Sequence, residues 1–221
     1  MMRLITFLLA VAFLIPLGAV MFLIAGTIDL PSVWLYLVMR VLFTIACVVT
    51  MSEEVARERL KPGPKAKPEP IYNIGAGITW VAHFLIVPLD LGRFHWSAGF
   101  PTWLQVIGVV VTAGGMSMVV WALRHNEYLS ARIRIQEERG HVVANTGPYA
   151  RIRHPNNAGA ILTGLSSGLV FKSWPSVIPL LIWIGLVVYR TLQEEKVLLN
   201  ELEGYKEYTQ QVRFRFIPGL W

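Results

Sequence analysis

Cysteine is nearly absent from this chain. Cys47 is the only one in 221 residues, which excludes a disulfide scaffold and a cysteine-based zinc centre. Charge is also scarce. Charged residues make up 15% of the sequence, against roughly 25% in an ordinary globular protein. With 54% hydrophobic residues, that balance is the reverse of what intrinsic disorder requires. There is no Gly-x-Gly-x-x-Gly phosphate-binding turn and no internal repeat. The net charge of +6 invites a nucleic-acid reading. The basic residues form no stripe, however; they sit in loops between apolar runs, so nucleic acid is not an expected partner.

What the sequence has in abundance is those runs. Six stand out: Leu4–Ala25, Val33–Met51, Ile74–Leu89, Trp103–Leu123, Ala158–Phe171 and Val177–Tyr189. A helix needs ~20 residues to cross a hydrocarbon core. The first, second and fourth runs approach or exceed that length, and the third reaches it with its flanks. The last two are short, with only Lys172–Pro175 between them, and read either as two thin crossings or as a short hairpin. The expected fold is all-α: a polytopic transmembrane bundle of about six helices in one domain over residues 1–221, with five crossings as the alternative. Leu4–Ala25 is too long for a signal-peptide core of ~7–15 residues and is expected to remain as the first helix.

Orientation follows from the basic residues. With the amino terminus placed in the cytoplasm, 17 of the 20 Lys and Arg residues fall in cytoplasmic segments. Only Arg93 and Lys172 fall in outside turns, and Arg40 lies within the second run. This bias predicts an integral membrane protein with both termini and the polar loops cytoplasmic. Trp34, Trp96, Trp103 and Trp174 fall near the opposite turns, as an interfacial aromatic belt requires. The polar mass comprises Ser52–Pro70, Arg124–Pro155 and Thr191–Trp221. Residues 1–70 form an amino-terminal unit ending in the Pro-rich loop Lys61–Pro70, which cannot be helical.

Chemistry is concentrated in two stretches. In Gly140–Gly159, Asn145-Thr146-Gly147-Pro148 reads as a turn. Pro155 suits the first position of the following helix, and the free N–H groups there favour an anionic ligand end. Arg151 and Arg153 add positive charge. A lipid-headgroup contact is the equal alternative on these residues alone. In the second stretch, Arg190 and Glu194 share a helix face, and Glu194 and Glu195 follow directly on an apolar span. They bind a ligand's hydroxyls or cation, or simply solvate the helix end.

The pairing of Gly147–Gly159 (GPYARIRHPNNAG) with Glu194-Glu195 and Gly204-Tyr205-x-x-Tyr208 resembles the isoprenylcysteine carboxyl methyltransferase family, which is related to the membrane phospholipid N-methyltransferases. The likeness covers Trp121–Trp221. It includes Leu123–Tyr128 (LRHNEY), Arg134–His141 (RIQEERGH) and Phe216-Ile217-Pro218, with Glu58–Pro64 as a further similar loop. The first two helices match only in hydropathy.

The resemblance implies a methyltransferase core over residues 121–221, with S-adenosylmethionine held at the cytoplasmic boundary. It assigns Gly147, Tyr149, Arg153, His154, Pro155, Gly159, Glu194 and Glu195 to the cofactor pocket. Asn157 stands where that family usually has tyrosine, so either the cofactor is held differently or the substrate side has changed. His141 flanks the loop and is a further pocket candidate. The implied partner is a lipid-like or hydrophobic methyl acceptor, amid membrane lipids.

Transfer from a sulfonium needs neither metal nor redox cofactor, and positioning supplies most of its acceleration. Arg190 is the candidate to orient an anionic nucleophile such as a carboxylate; an amine or thiol would need a base, for which His154 and Glu194 are the candidates. A membrane sterol-type reductase using a nicotinamide cofactor, or a non-catalytic scaffold or transporter, are the alternatives. Cys47, His83, His95, Trp121 and Trp183 read as packing residues. Ala160, Gly164 and Gly168 form a small face for close helix contact.

Overall fold

The computed structural model describes residues 1–221 and is entirely helical. Its helices are α1 (Met2–Ala25), α2 (Pro31–Thr50), α3 (Glu53–Leu60), α4 (Pro70–Leu89), α5 (Thr102–His125), α6 (Pro155–Phe171), α7 (Val177–Glu201) and α8 (Tyr205–Gln211). Proline occupies the first turn of α2, α4 and α6, where its missing N–H costs no helical bond. α3 is capped by the Ser52 side chain, which accepts from Val55 N at 3.2 Å, and its first turn carries Glu53 and Glu54.

Five helices are long and apolar enough to cross a membrane: α1, α2, α4 with its π-turn extension to Phe94, α5 and α7. Of the expected counts, about six with five as the alternative, the five long helices match the alternative, and α6 is the helix on which the two differ. That helix has 17 residues, about 26 Å at 1.5 Å per residue, and buries Thr163, Ser166 and Ser167 between its neighbours. The expectation of a short final hairpin is corrected at α7, which runs 25 residues. Its apolar part ends near Tyr189, but the helix continues through Arg190, Glu194 and Glu195, so hydropathy alone marked only half of it.

Lipid tails are as apolar as leucine, so close packing and interhelical hydrogen bonds hold such a bundle together. α5 and α6 show both. A Cβ on Gly115 would lie 2.7 Å from Gly159 O, and a Cβ on Gly159 would lie 2.6 Å from Gly115 O; only glycine at both sites lets the backbones approach. Thr112 and Ser166 share a hydroxyl bond of 2.6 Å, and Gln105 Nε2 donates to Val170 O. The small face of α6 meets α7, with Gly164 under the Trp183 ring and Gly168 against Val177. His83 is fully buried between Ser176 O and Ser167 Oγ, a packing position. α1 and α2 expose Leu8, Phe13, Leu23, Val38, Leu42 and Val49, as lipid-facing helices do.

The polar segments gather at one end. Residues 61–69, 126–154 and 202–221 cross one another there, tied by Lys67 N donating to Ile133 O at 3.0 Å and by Arg153 N and His154 N donating to Phe214 O and Arg215 O. The buried Glu58 carboxylate accepts from Ser130 Oγ, Arg134 Nε and Gly63 N. The Glu58–Pro64 loop is thereby locked to the 126–146 segment.

Candidate active site

Beneath the 126–146 segment, at the polar end, lies a cleft walled by the start of α6, the outer half of α7 and α8. Each of these elements supplies side chains through its local structure. Gly147 adopts φ +57°, and a Cβ there would collide with the His125 ring at 2.5 Å. The turn thus requires glycine and delivers Tyr149 inward. His154 is the N-cap of α6, which places its ring in the cleft beside Asn156 and Asn157. Arg190 and Glu194, one turn apart on α7, face the same space with Nη1 and Oε2 3.5 Å apart.

His141, Tyr149, Arg153, His154, Asn157, Arg190 and Glu194 all line the cleft. Gly147, Pro155 and Gly159 do not. Gly147 shapes the turn, Pro155 starts α6, and Gly159 is spent on the contact with α5. Glu195 is also set apart. Its side chain is buried, with Oε1 2.6 Å from Arg153 Nε and Oε2 2.7 Å from Arg215 Nε. Adjacent residues on a helix point about 100° apart; here Glu194 lines the cleft while Glu195 turns to Arg153 and Arg215. Arg153 lines the wall, but its guanidinium is committed to Glu195 and to the Val212 and Arg213 carbonyls. Arg153 and Glu195 form a buried ion pair at the cleft wall.

Three buried polar atoms of cleft-lining residues lack a hydrogen-bond partner: His154 Nε2, Arg190 Nε and Tyr205 Oη. His154 Nε2 lies 3.5 Å from Glu195 Oε1, without the alignment of a hydrogen bond. Unsatisfied buried groups are rare in native proteins and call for a ligand or water. Burial pushes the phenols of Tyr149, Tyr205 and Tyr208 up, so all three stay neutral. Tyr149 Oη accepts from Asn126 Nδ2, and Tyr208 Oη donates to Tyr149 O at 2.7 Å. His141 stacks on Tyr128 with ring centroids 4.4 Å apart. Burial, then the charges of Arg139 and Arg134, push its imidazole down to about 4. It is neutral at physiological pH and presents an aromatic face.

Residues absent from the sequence-based site also line the cleft: Asn126, Tyr128, Ser130, Arg132, Arg134, Asn156, Leu202, Tyr205 and Tyr208. Tyr205 and Tyr208 belong to the Gly204–Tyr208 motif, which carried a signal. The leucine and serine positions carried none. The cleft's internal volume is about 90 Å³. No cluster of three or more His, Cys, Asp or Glu side chains has a metal-binding arrangement.

Residues 106–200 match the sequence model of the isoprenylcysteine carboxyl methyltransferase (ICMT) family. The match takes in 95 of the 221 residues, a little under half of the chain. It contains α6, the His154 loop, Arg190, Glu194 and most of the cleft wall. The whole fold resembles that of the eukaryotic intramembrane Ras methyltransferase ICMT solved without a monobody. The TM-score is 0.58 at 19% identity, covering 95% of this chain and 75% of the other. Among curated protein sequences nothing matches. A fold of that kind accounts for the absence of strands and for a polar cleft at one end of apolar helices.

Proposed function

We propose that the protein is an integral-membrane, S-adenosylmethionine-dependent methyltransferase that acts on a hydrophobic acceptor with an isoprenylcysteine-type carboxylate. The observation that carries this reading is the cleft in the family-matched segment, where Glu194, His154 and Asn157 converge with unpartnered donors and acceptors. On its far side the cleft shares Ile133, Arg190 and Val197 with a second cavity of about 350 Å³, which runs between α4 and α7 past Ile71, Tyr72 and Tyr189. One space suits a water-soluble cofactor and the other an apolar acceptor, with Arg190 in the wall between them.

The donor set fits the cofactor. Glu194, Asn156, Asn157 and Tyr205 offer partners for ribose hydroxyls, an amino group and a purine edge, and the start of α6 favours a carboxylate. Tyr128 and His141 offer flat apolar faces. When bound, S-adenosylmethionine supplies a sulfonium methyl: a carboxylate oxygen forms the O–CH₃ bond as the C–S bond breaks and its electron pair stays on sulfur, giving a neutral ester and a neutral thioether. The chain's residues contribute alignment. Arg190 orients the acceptor carboxylate without neutralising it by proton transfer. Glu194 turns Arg190 toward the cleft. The tyrosines, neutral and packed, exclude water.

Both the polar end and the chain termini face the cytoplasm in this reading, on the strength of the basic-residue bias.

The test is titration of purified protein in nanodiscs with S-adenosylmethionine, alongside turnover of a prenylated cysteine bearing a free carboxylate. Expected is micromolar-range binding that chelators leave unchanged, weakened at least tenfold by Glu194→Gln or His154→Ala. Arg190→Ala should lower kcat and kcat/KM together while cofactor affinity holds, the signature of an interaction made in the transition state. Folded protein that does not bind the cofactor refutes the proposal.

A further inference from the structure

Glu69 lies outside both chemistry-bearing stretches, at the end of the Pro-rich loop, yet its side chain is only 7% exposed. Its Oε1 stands 2.8 Å from Arg190 Nε, and its Oε2 accepts from Ile133 N at 3.1 Å. The same Ile133 receives Lys67 N on its carbonyl, so residues 67–69 are held against the 126–146 segment by one backbone bond and one backbone-to-carboxylate bond. Pro68 and Pro70 flank the carboxylate and restrict its backbone. A buried carboxylate fixed this firmly does not wander.

Glu69 constrains the Arg190 guanidinium in a specific way. Nε faces Glu69 and Nη1 faces Glu194 at 3.5 Å. Nη2 has only a 3.5 Å contact to Ala131 O, and the Tyr72 ring covers the group 5.2 Å from its centroid. Guanidinium presents its donors in a rigid fork, so fixing Nε and Nη1 fixes the direction of Nη2. Glu69 lines only the cavity between α4 and α7, Glu194 only the polar cleft, and Arg190 lines both.

We infer that Glu69 is a positioning residue. Resting on the methyltransferase reading, it holds Arg190 across the wall between the two cavities so that the loosely held Nη2 is the donor that receives the acceptor's carboxylate. It acts through Arg190 and touches neither cofactor nor reacting atoms. Glu69 also sets a charge requirement. Arg190 already lies between two carboxylates, so a third anion is accepted only where the free donor points.

The experiment is a double-mutant cycle on the full chain in nanodiscs, with a prenylated cysteine bearing a free α-carboxylate as the acceptor. Glu69→Gln should lower acceptor kcat/KM at least tenfold and leave S-adenosylmethionine affinity within twofold. Arg190→Gln should be worse, and the double variant no worse than Arg190→Gln within twofold, because the two act as one unit. Glu69→Asp keeps the charge and should recover part of the rate. It carries the same cycle if Glu69→Gln does not fold. Unchanged acceptor kcat/KM in Glu69→Gln, or losses that multiply in the double variant, overturn the role of Glu69. Wild-type protein that neither binds the cofactor nor methylates the acceptor overturns this inference together with the methyltransferase reading.

Discussion

Replacing Glu195 with alanine separates a strut from a ligand. Glu195 bonds Arg153 at 2.6 Å and Arg215 at 2.7 Å, and both Glu195 and Arg153 are nearly inaccessible. Removing one partner of a buried pair costs about 3–5 kcal/mol, because the remaining charge stays buried. Here the lower end applies. Arg153 keeps the Val212 and Arg213 carbonyls at 2.8 and 2.7 Å, and Arg215 is 28% exposed and can turn to water. A loss of about 3 kcal/mol corresponds to a drop in melting temperature of roughly 6–12 °C for a chain of this size. The loosened segment is the tail that holds Arg153 N and His154 N, so cofactor affinity falls only as that loop loosens. The assay is thermal unfolding of Glu195→Ala and Glu194→Ala in the same micelle, with cofactor titration of each below its melting temperature. Glu195→Ala should melt early, and Glu194→Ala should melt near wild type but bind weakly. If Glu195→Ala melts with the wild type and fails to bind, the carboxylate is a ligand and the strut reasoning is wrong.

Three further outcomes are expected. Gly115→Ala, whose Cβ would press on Thr163 and on the backbone at Gly159, should destabilise the bundle by about 1–3 kcal/mol as α5 and α6 are forced apart, read as a lower melting temperature with unchanged cofactor affinity per folded molecule. His141 is held down to about 4 in the fold against an ordinary ~6.5. The unfolded chain therefore binds more protons between those values, and stability should fall as pH drops through that window; a melting-temperature series over pH 4–7 should flatten in His141→Gln. Single cysteines placed in the 126–146 segment of a Cys47→Ser chain should resist membrane-impermeant reagents in intact cells and react in inverted vesicles, whereas labelling in intact cells would reverse the orientation.

Half of the site was legible in the sequence because its signal is local. Pro155 at the first position of α6, the Gly147 turn and the four-residue spacing of Arg190 and Glu194 are each settled by backbone rules acting within a few residues, and the structure places them as those rules require. The division between Glu194 and Glu195 was not legible. Two adjacent carboxylates look alike in sequence, and which one faces the cleft depends on the rotation of α7 against α6 and the tail. The place of Glu69 was hidden for a similar reason: its partner Arg190 lies far along the chain, and nothing in the Pro-rich loop marks a residue that will be buried.

The sequence by itself determined an all-helical membrane chain, because runs of apolar residues have no other way to satisfy their backbone in lipid. It also determined that the charge would collect at one end. Hydropathy could not set the length of α7 or the standing of α6, since a helix does not stop where its apolar face stops. Only the tertiary structure decided those, through the Gly115–Gly159 contact that draws α6 against α5 and the buried ion pairs that carry α7 beyond the apolar layer. It alone placed Arg190 in the wall of two cavities, because that wall joins Ile133 to Arg190 and Val197 of α7, distant in sequence and meeting only when the bundle closes.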